Sequence, residues 1–160
     1  IAGIYAHAVL HGTASFELEP TGEGEMLRRF EALAASGHPY LAAERDGVIL
    51  GYAYAGPYRP RPAYRATVED SIYLSPSAQR LGIGRLLLRR LLQVAEDEGF
   101  RQMVAVIGDS ANHASIRLHE SLGFRLVGTL ENVGYKHGRW LDSVLMQRKL
   151  GPGAETPPTR

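Results

Sequence analysis

Apolar residues recur at helical spacing along some stretches of the chain and in alternating or continuous short runs along others. In residues 2–11, Ile4, Ala8 and Val9 share a helical face with Tyr5 beside them. Residues 25–36 are amphipathic, with Met26 or Leu27, Phe30, Leu33 and Ala34 on one side and Gly37 as a C-terminal stop. Two β-prone runs flank Asp46-Gly47, a tight-turn signal, so residues 40–56 predict a hairpin. After the proline-punctuated loop 57–65, residues 66–74 predict a strand closed by Pro76. A helix over about 82–97 buries Leu87, Leu91, Val94 and Ala95 and stops at Gly99. The unbroken apolar run 102–108 predicts a strand covered on both faces. Residues 112–124 predict a short helix ended by Gly123, followed by a strand "FRLVGTLE", a turn-rich loop "NVGYKHGR" and a final strand from Trp140.

That order, α-α-β-β-β-α-β-α-β-β, predicts a mixed sheet covered by helices in one domain over residues 1–150. Residues 151–160 lack an apolar pattern and are expected to form a disordered tail. The first ten residues read as the middle of a helix and begin with Ile, so a preceding segment is expected.

Composition narrows the function more than the fold. The 160 residues carry a net charge of only +1, so any anion binding must be local. The chain has no cysteine, which excludes disulfides, thiolate metal sites and a cysteine nucleophile and fits a cytoplasmic setting. No apolar run reaches the roughly 20 residues of a membrane span, and no signal-peptide pattern is visible. His7 and His11 have helical spacing for a metal pair, but no third ligand follows at useful spacing, so no metal is expected.

The most informative stretch is "SPSAQRLGIGRLLLRRLL", residues 75–92. Gly82 and Gly84 open a helix in which each costs about 1 kcal/mol of helix propensity. A helix N-terminus exposes unpaired N–H groups at the positive end of its dipole, and glycine lets an anion approach them. Arg80 and Arg85 could add charge. Tight helix–sheet packing is the alternative use of the two glycines. A P-loop signature is absent, and the third glycine of a dinucleotide fingerprint is replaced by Leu87.

Gln79-Arg80-Leu81-Gly82-Ile83-Gly84 fits Q-x-x-G-x-G and resembles the signature of the GNAT superfamily of acyl-CoA-dependent N-acetyltransferases. "NHASIRLHESLGF" is similar to the family's next block. "YAYAGPY", "VEDSIYLSPSAQRLGIG", "VAVIG", "SIRLHESLGF" and "GYKHGRW" resemble its phosphinothricin and methionine sulfone N-acetyltransferase branch, over nearly the whole of residues 1–150. The resemblance implies an α/β (α+β) fold: a mixed, mostly antiparallel sheet with a central splay, helices on both faces, and an opening strand that this chain lacks. It implies acetyl-CoA as cosubstrate and a homodimer. It places pantetheine against Ile72, Tyr73 and Leu74, the pyrophosphate against the stretch Arg80, Leu81, Gly82, Ile83, Gly84 and Arg85 behind Gln79, and the coenzyme arm near Asn112 and Ser115. Asn112 would also serve simply as an N-cap.

Acetyl transfer from a thioester to an amine needs a neutral amine, a donor for the oxyanion and a proton for the leaving thiolate. Glu69 is the base candidate; in a regular strand Thr67, Glu69, Ser71 and Tyr73 share a face and Asp70 points the other way. The rival reading makes both carboxylates exposed surface charges. His119 stands where many family members carry a proton-donating Tyr, and it could act as acid or base. By resemblance, Arg61 and Tyr64 clasp the acidic group of an amino-acid-like substrate, with Phe16 and Glu17 closing the other side; a solvated basic loop is the alternative. Related sequences often read Trp-His-Asp where this chain has Trp140-Leu141-Asp142. The implied reaction is direct transfer to the amine of a small amino-acid analogue. Acetylation of a protein N-terminus or polyamine, or coenzyme binding without chemistry, are the rival functions.

Overall fold

A computed structural model describes residues 1–160. Its elements run α1 (Ala2–His11), α2 (Glu23–Ala35), β1 (Tyr40–Arg45), β2 (Val48–Pro57), β3 (Thr67–Leu74), α3 (Ile83–Asp97), β4 (Gln102–Gly108), α4 (His113–Ser121), β5 (Arg125–Lys136) and β6 (Arg139–Lys149). The six strands form one sheet in the order β1-β2-β3-β4-β6-β5. Every neighbouring pair is antiparallel except β3–β4, whose parallel register needs a crossover, and α3 provides it.

Side-chain alternation divides the sheet faces. Ala53, Ala55, Val68, Met103, Ala105, Val144 and Met146 meet the leucine stripe of α3 and the apolar side of α4. Leu88 and Leu91 are fully buried there, each contributing about 1.5–3 kcal/mol of apolar transfer. Leu88 and Leu92 join Leu87, Leu91 and Ala95 in the stripe, and Val94 sits at its edge. On the other face Tyr5, Val9, Met26 and Tyr52 form a smaller core under α1 and α2.

One opening in this sheet positions everything that follows. The β3–β4 ladder runs only from Thr67↔Gln102 to Asp70↔Ala105. Beyond it β3 keeps its register with β2 to Leu74, and β4 keeps its register with β6 to Gly108. The two strands therefore part, and the facing edges of residues 71–74 and 106–108 have no strand partner across the gap.

Three sequence expectations are corrected. β4 is not covered on both faces: Met103, Ala105 and Ile107 are buried, but Val106 is 38% exposed, because α1 and α2 lie over the β1–β3 half of the sheet. "NVGYKHGR" is not a loop, since β5 continues to Lys136 and only His137-Gly138 turns, both at positive φ. Its turn-forming residues are absorbed by an irregularity between Leu130 and Gly134, where Asn132 takes φ 54° and donates its N–H to Asp142 Oδ1 at 3.0 Å. The tail is ordered. Arg101 donates to the carbonyls of Gly153 and Pro157, and Arg160 lies 4.0 Å over the Phe100 ring while donating to the carbonyls of Ser36, Gly37 and Glu98. Main-chain acceptors and two guanidinium groups hold a segment whose composition has no apolar anchor.

Candidate active site

A cleft of about 280 Å³ occupies the gap between β3 and β4. Its walls are residues 69–73 of β3, residues 105–108 of β4, Asn112, Ser115 and His119 at α4, Ser143 of β6, and the loop residues Ala14, Ser15 and Phe16.

At the neighbouring end of β3, the chain turns into α3 through two left-handed residues, Arg80 (φ 63°) and Gly82 (φ 77°). No side chain caps α3 and its first turn has no acidic residue. Its first main-chain bond is Leu86 N–H to Gly82 O, so the amides of Ile83, Gly84 and Arg85 have no intrahelical partner. Those donors and the dipole of a 15-residue helix make an anion site. The two glycines have different reasons. A Cβ on Gly82 would meet nothing within 4 Å, so only its positive φ calls for glycine there. A Cβ on Gly84 would lie 3.4 Å from Leu118 Cδ2 and 3.6 Å from Leu74 Cδ1, so this glycine packs α3 against α4 and β3. Gln79, Arg80 and Leu81 are exposed at the turn, while Arg85 donates to Ser121 Oγ at 2.6 Å and ties α3 to α4. Leu74 packs into the core and does not line the cleft, whereas Ile72 and Tyr73 do.

Glu69 and Asp70 lie on opposite faces of β3, and both border the cleft. Burial pushes the Glu69 carboxyl above its ordinary value, the negative charge of Asp70 adds to the push, and Arg59 opposes it. Asp70 is buried, and its Oδ2 lies 2.9 Å from His119 Nε2. His119 Nδ1 lies 2.7 Å from the Ser115 carbonyl oxygen. Burial works to lower the His119 pKa, but the hydrogen bond and charge of Asp70 together with the Ser115 carbonyl outweigh it, so the net shift is upward. Asn112 is the N-cap of α4, accepting from Ser115 N at 3.3 Å, and it lines the cleft as well.

The far end of the cleft is closed by the loop after α1. A Cβ on Gly108 would lie 2.3 Å from the Thr13 carbonyl oxygen, and one on Gly134 would lie 2.5 Å from the Phe16 ring, so two glycines let this loop rest on the sheet. Lys136 is buried and donates to the Ser15 carbonyl at 2.7 Å. Asp109 accepts from Thr13 and from Arg139, joining the same loop to β6. Phe16 stands at the cleft mouth. Glu17 does not line the cleft; it pairs with Arg29 at 2.9 Å. Arg61 and Tyr64 are exposed and outside the cleft wall, with Tyr64 edge-on to Tyr58 at 5.6 Å. The rings of His7 and His11 lie 4.7 Å apart, tilted by 48°, and no group of three His, Asp or Glu comes together as a metal site.

A family model described as the Acetyltransferase (GNAT) family matches residues 7–124, a span that takes in the opened strand pair, the α3 turn and His119. The chain belongs to the GNAT family. It is 52% identical over 158 residues to a phosphinothricin N-acetyltransferase of Alcaligenes faecalis, covering 99% of this chain and 80% of the relative. It is 45% identical over 150 residues to an L-methionine sulfoximine/L-methionine sulfone acetyltransferase of Salmonella typhimurium, covering 94% and 87%. The crystal structure of a GNAT phosphinothricin acetyltransferase from Sinorhizobium meliloti in complex with AcCoA superposes with a TM-score of 0.96 at 49% identity, covering 99% of this chain and 86% of that one. The fold is thus the GNAT mixed α/β fold, with its mostly antiparallel, open sheet.

Two residues of the cleft wall escape a reading of local sequence. Asp70 is the polar member of the otherwise apolar alternation Val68, Asp70, Ile72, Leu74, and that break in pattern is its only signal. Ser143 is a buried serine opposite Gly108 in the β4–β6 register, and nothing nearby in sequence marks it.

Proposed function

We propose that this GNAT protein transfers the acetyl group of acetyl-CoA to the amine of a small amino-acid-like substrate of the phosphinothricin, methionine sulfone or methionine sulfoximine type. The observation that carries the reading is the cleft where β3 and β4 part, with uncapped α3 amides beside it and a carboxylate and a histidine in its walls. The residues fit the cosubstrate: amides of residues 83–85 and the turn Gln79–Gly82 for a diphosphate, the unpaired edge at Ile72 and Tyr73 for an amide-bearing arm, and Asn112 and Ser115 opposite. The cosubstrate supplies an activated acyl carbon. Residues 1–150 form the catalytic domain in this reading.

Glu69 takes the amine proton. Its pKa, raised by burial and by Asp70, makes it a stronger proton acceptor than an exposed glutamate. A main-chain N–H near Tyr73 or Leu74 faces the developing oxyanion. His119 attends the leaving sulfur. The absence of cysteine favours direct transfer in a ternary complex over a thiol acyl-enzyme. Phe16 flanks the substrate at the cleft mouth. The loop 57–65 contributes positive charge, nearest through Arg59, which acts on Glu69; Arg61 and Tyr64 act from farther out on the same loop.

A homodimer is part of the reading. Leu126, Val127, Leu130, Val133, Tyr135 and Trp140 leave an apolar surface on β5 and β6, with Trp140 61% exposed. Light scattering should give twice the chain mass. The cytoplasm is the proposed location; no helix is long and apolar enough to cross a membrane.

The test is an initial-rate assay with acetyl-CoA and a panel of amines. Turnover on phosphinothricin, methionine sulfone or methionine sulfoximine, with little on spermidine or a peptide N-terminus, supports the proposal. Turnover confined to the latter two, or none on any amine, overturns it.

A further inference from the structure

We propose that Lys136 is a positioning residue for substrate recognition: its ammonium grips the Ser15 carbonyl and so aims and polarises the Phe16 N–H of the same peptide group, which receives the carboxylate of the amino-acid substrate. This deepens the acetyl-transfer reading above and rests on it, since it names the group that favours an amino acid over a plain amine.

No lysine or arginine side chain lines the cleft, and Arg61 lies outside its wall. A carboxylate that enters meets two acidic side chains there, Glu69 and Asp70. Donors for it must come from the main chain, and the loop after α1 has them. Ala14, Ser15 and Phe16 all line the cleft, and none of their N–H groups is paired with an acceptor in the protein. A carboxylate that accepts from main-chain amides gains charge-assisted hydrogen bonds without needing a cationic side chain beside it.

The β5–β6 hairpin holds the carbonyl side of the same loop. His137 Nε2 lies 3.2 Å from the Gly12 carbonyl oxygen, and Lys136 Nζ donates to the Ser15 carbonyl at 2.7 Å. The chain has no cis peptide bond, and in a trans peptide the N–H points opposite to the C=O. The Ser15–Phe16 peptide therefore turns its N–H away from Lys136, which stands behind the loop and outside the cleft wall. Lys136 is only 4% exposed, and the Ser15 carbonyl is its hydrogen-bond acceptor. Burial works against its charge, and nearby Glu17 sustains it. Hydrogen bonds in series polarise one another, so a cation on the carbonyl oxygen strengthens the donor at the other end of the amide. The loop is held in this orientation from two more sides. Ser15 Oγ lies 3.1 Å from the Tyr5 hydroxyl and accepts from Glu17 N at 3.2 Å. The Phe16 ring rests on Gly134, two residues before Lys136 on the same strand.

The experiment compares two acetyl acceptors, methionine sulfone and its decarboxylated counterpart methylsulfonylpropylamine, in wild type and Lys136→Met. The substitution should raise KM for methionine sulfone about tenfold, leave KM for the decarboxylated amine within about twofold, and leave coenzyme A affinity unchanged. A merely structural loosening of the loop would raise both KM values together. That equal rise overturns the proposal, as does a methionine sulfone KM indifferent to Lys136→Met. A second measurement uses the wild-type chain labelled with ¹⁵N-phenylalanine, which shows four main-chain amides. Saturating methionine sulfone should move the Phe16 signal downfield, and the decarboxylated amine should not. An unmoved Phe16 amide overturns the proposal, and this titration decides alone if Lys136→Met does not fold. Failure of these tests with N-acetylation intact removes only the role of Lys136, whereas absence of turnover on every amine removes the acetyl-transfer reading.

Discussion

Gly82 and Gly84 should answer mutation to alanine with opposite signs. Gly82→Ala places a Cβ in open space but on a residue at φ 77°, ψ 4°. An L-residue pays about 1–2 kcal/mol for that conformation. For a chain of this size the loss corresponds to a fall in Tm of about 2–8 °C. If the turn instead relaxes toward negative φ, the amides of residues 83–85 swing away from their common direction, and coenzyme A should bind about tenfold more weakly, equivalent to about 1.4 kcal/mol. Asparagine tolerates positive φ better, so Gly82→Asn should recover part of both losses. Gly84→Ala behaves otherwise. Its Cβ enters ordinary contact at 3.4 Å from Leu118 and 3.6 Å from Leu74, while alanine gains up to about 1 kcal/mol of helix propensity. Tm should hold or rise, and coenzyme affinity should stay within about twofold. Thermal unfolding and titration calorimetry with coenzyme A read both quantities. Loss of coenzyme binding in Gly84→Ala with Gly82→Ala unchanged would refute the assignment of conformation to one glycine and packing to the other.

Glu69→Gln should lower kcat by about 10²–10⁴-fold in steady-state assays while leaving the coenzyme Kd unchanged. On the proposal that Glu69 takes the amine proton it must be deprotonated to act, and burial and then Asp70 raise its pKa, so the acidic limb of wild-type kcat/KM should lie above the ordinary value for an exposed glutamate. Gly108→Ala would put a Cβ 2.3 Å from the Thr13 carbonyl oxygen, a backbone atom that must move. Kinetics should show a raised KM for the amine with coenzyme affinity intact. His119 has a raised folded-state pKa, so the stabilisation it draws from Asp70 is fully present below about pH 6.5 and is lost as pH rises through the folded value. Urea midpoints at pH 6 and pH 9 should therefore differ, and the difference should shrink in His119→Gln.

The element order was legible because its signals are local: the 3.6-residue leucine period of α3, the Asp46-Gly47 turn, and glycines at helix ends. β5 was cut short in sequence because Asn132 and Gly134 carry turn chemistry; only the β5–β6 register shows that one accommodates a bulge and the other the Phe16 ring. Composition predicts a disordered tail because it does not register two arginines, Arg101 and Arg160, that reach main-chain acceptors far away in sequence. The alternation of β3 rightly put Glu69 and Asp70 on opposite faces. It could not show that α4, 49 residues on, delivers His119 to the Asp70 side. The resemblance assigns Arg61 and Tyr64 to the substrate, but the direction of a proline-rich loop is set by tertiary packing, and this one carries them outside the cleft wall.

The most direct measurement of the central claim is the rate of thiol release from acetyl-CoA in the presence of phosphinothricin, methionine sulfone or methionine sulfoximine, with the acetylated product identified by mass. Saturable formation of the N-acetyl amino acid, strongly reduced in Glu69→Gln, is the predicted result. Tight coenzyme binding with no N-acetylated product from any of the three would contradict it.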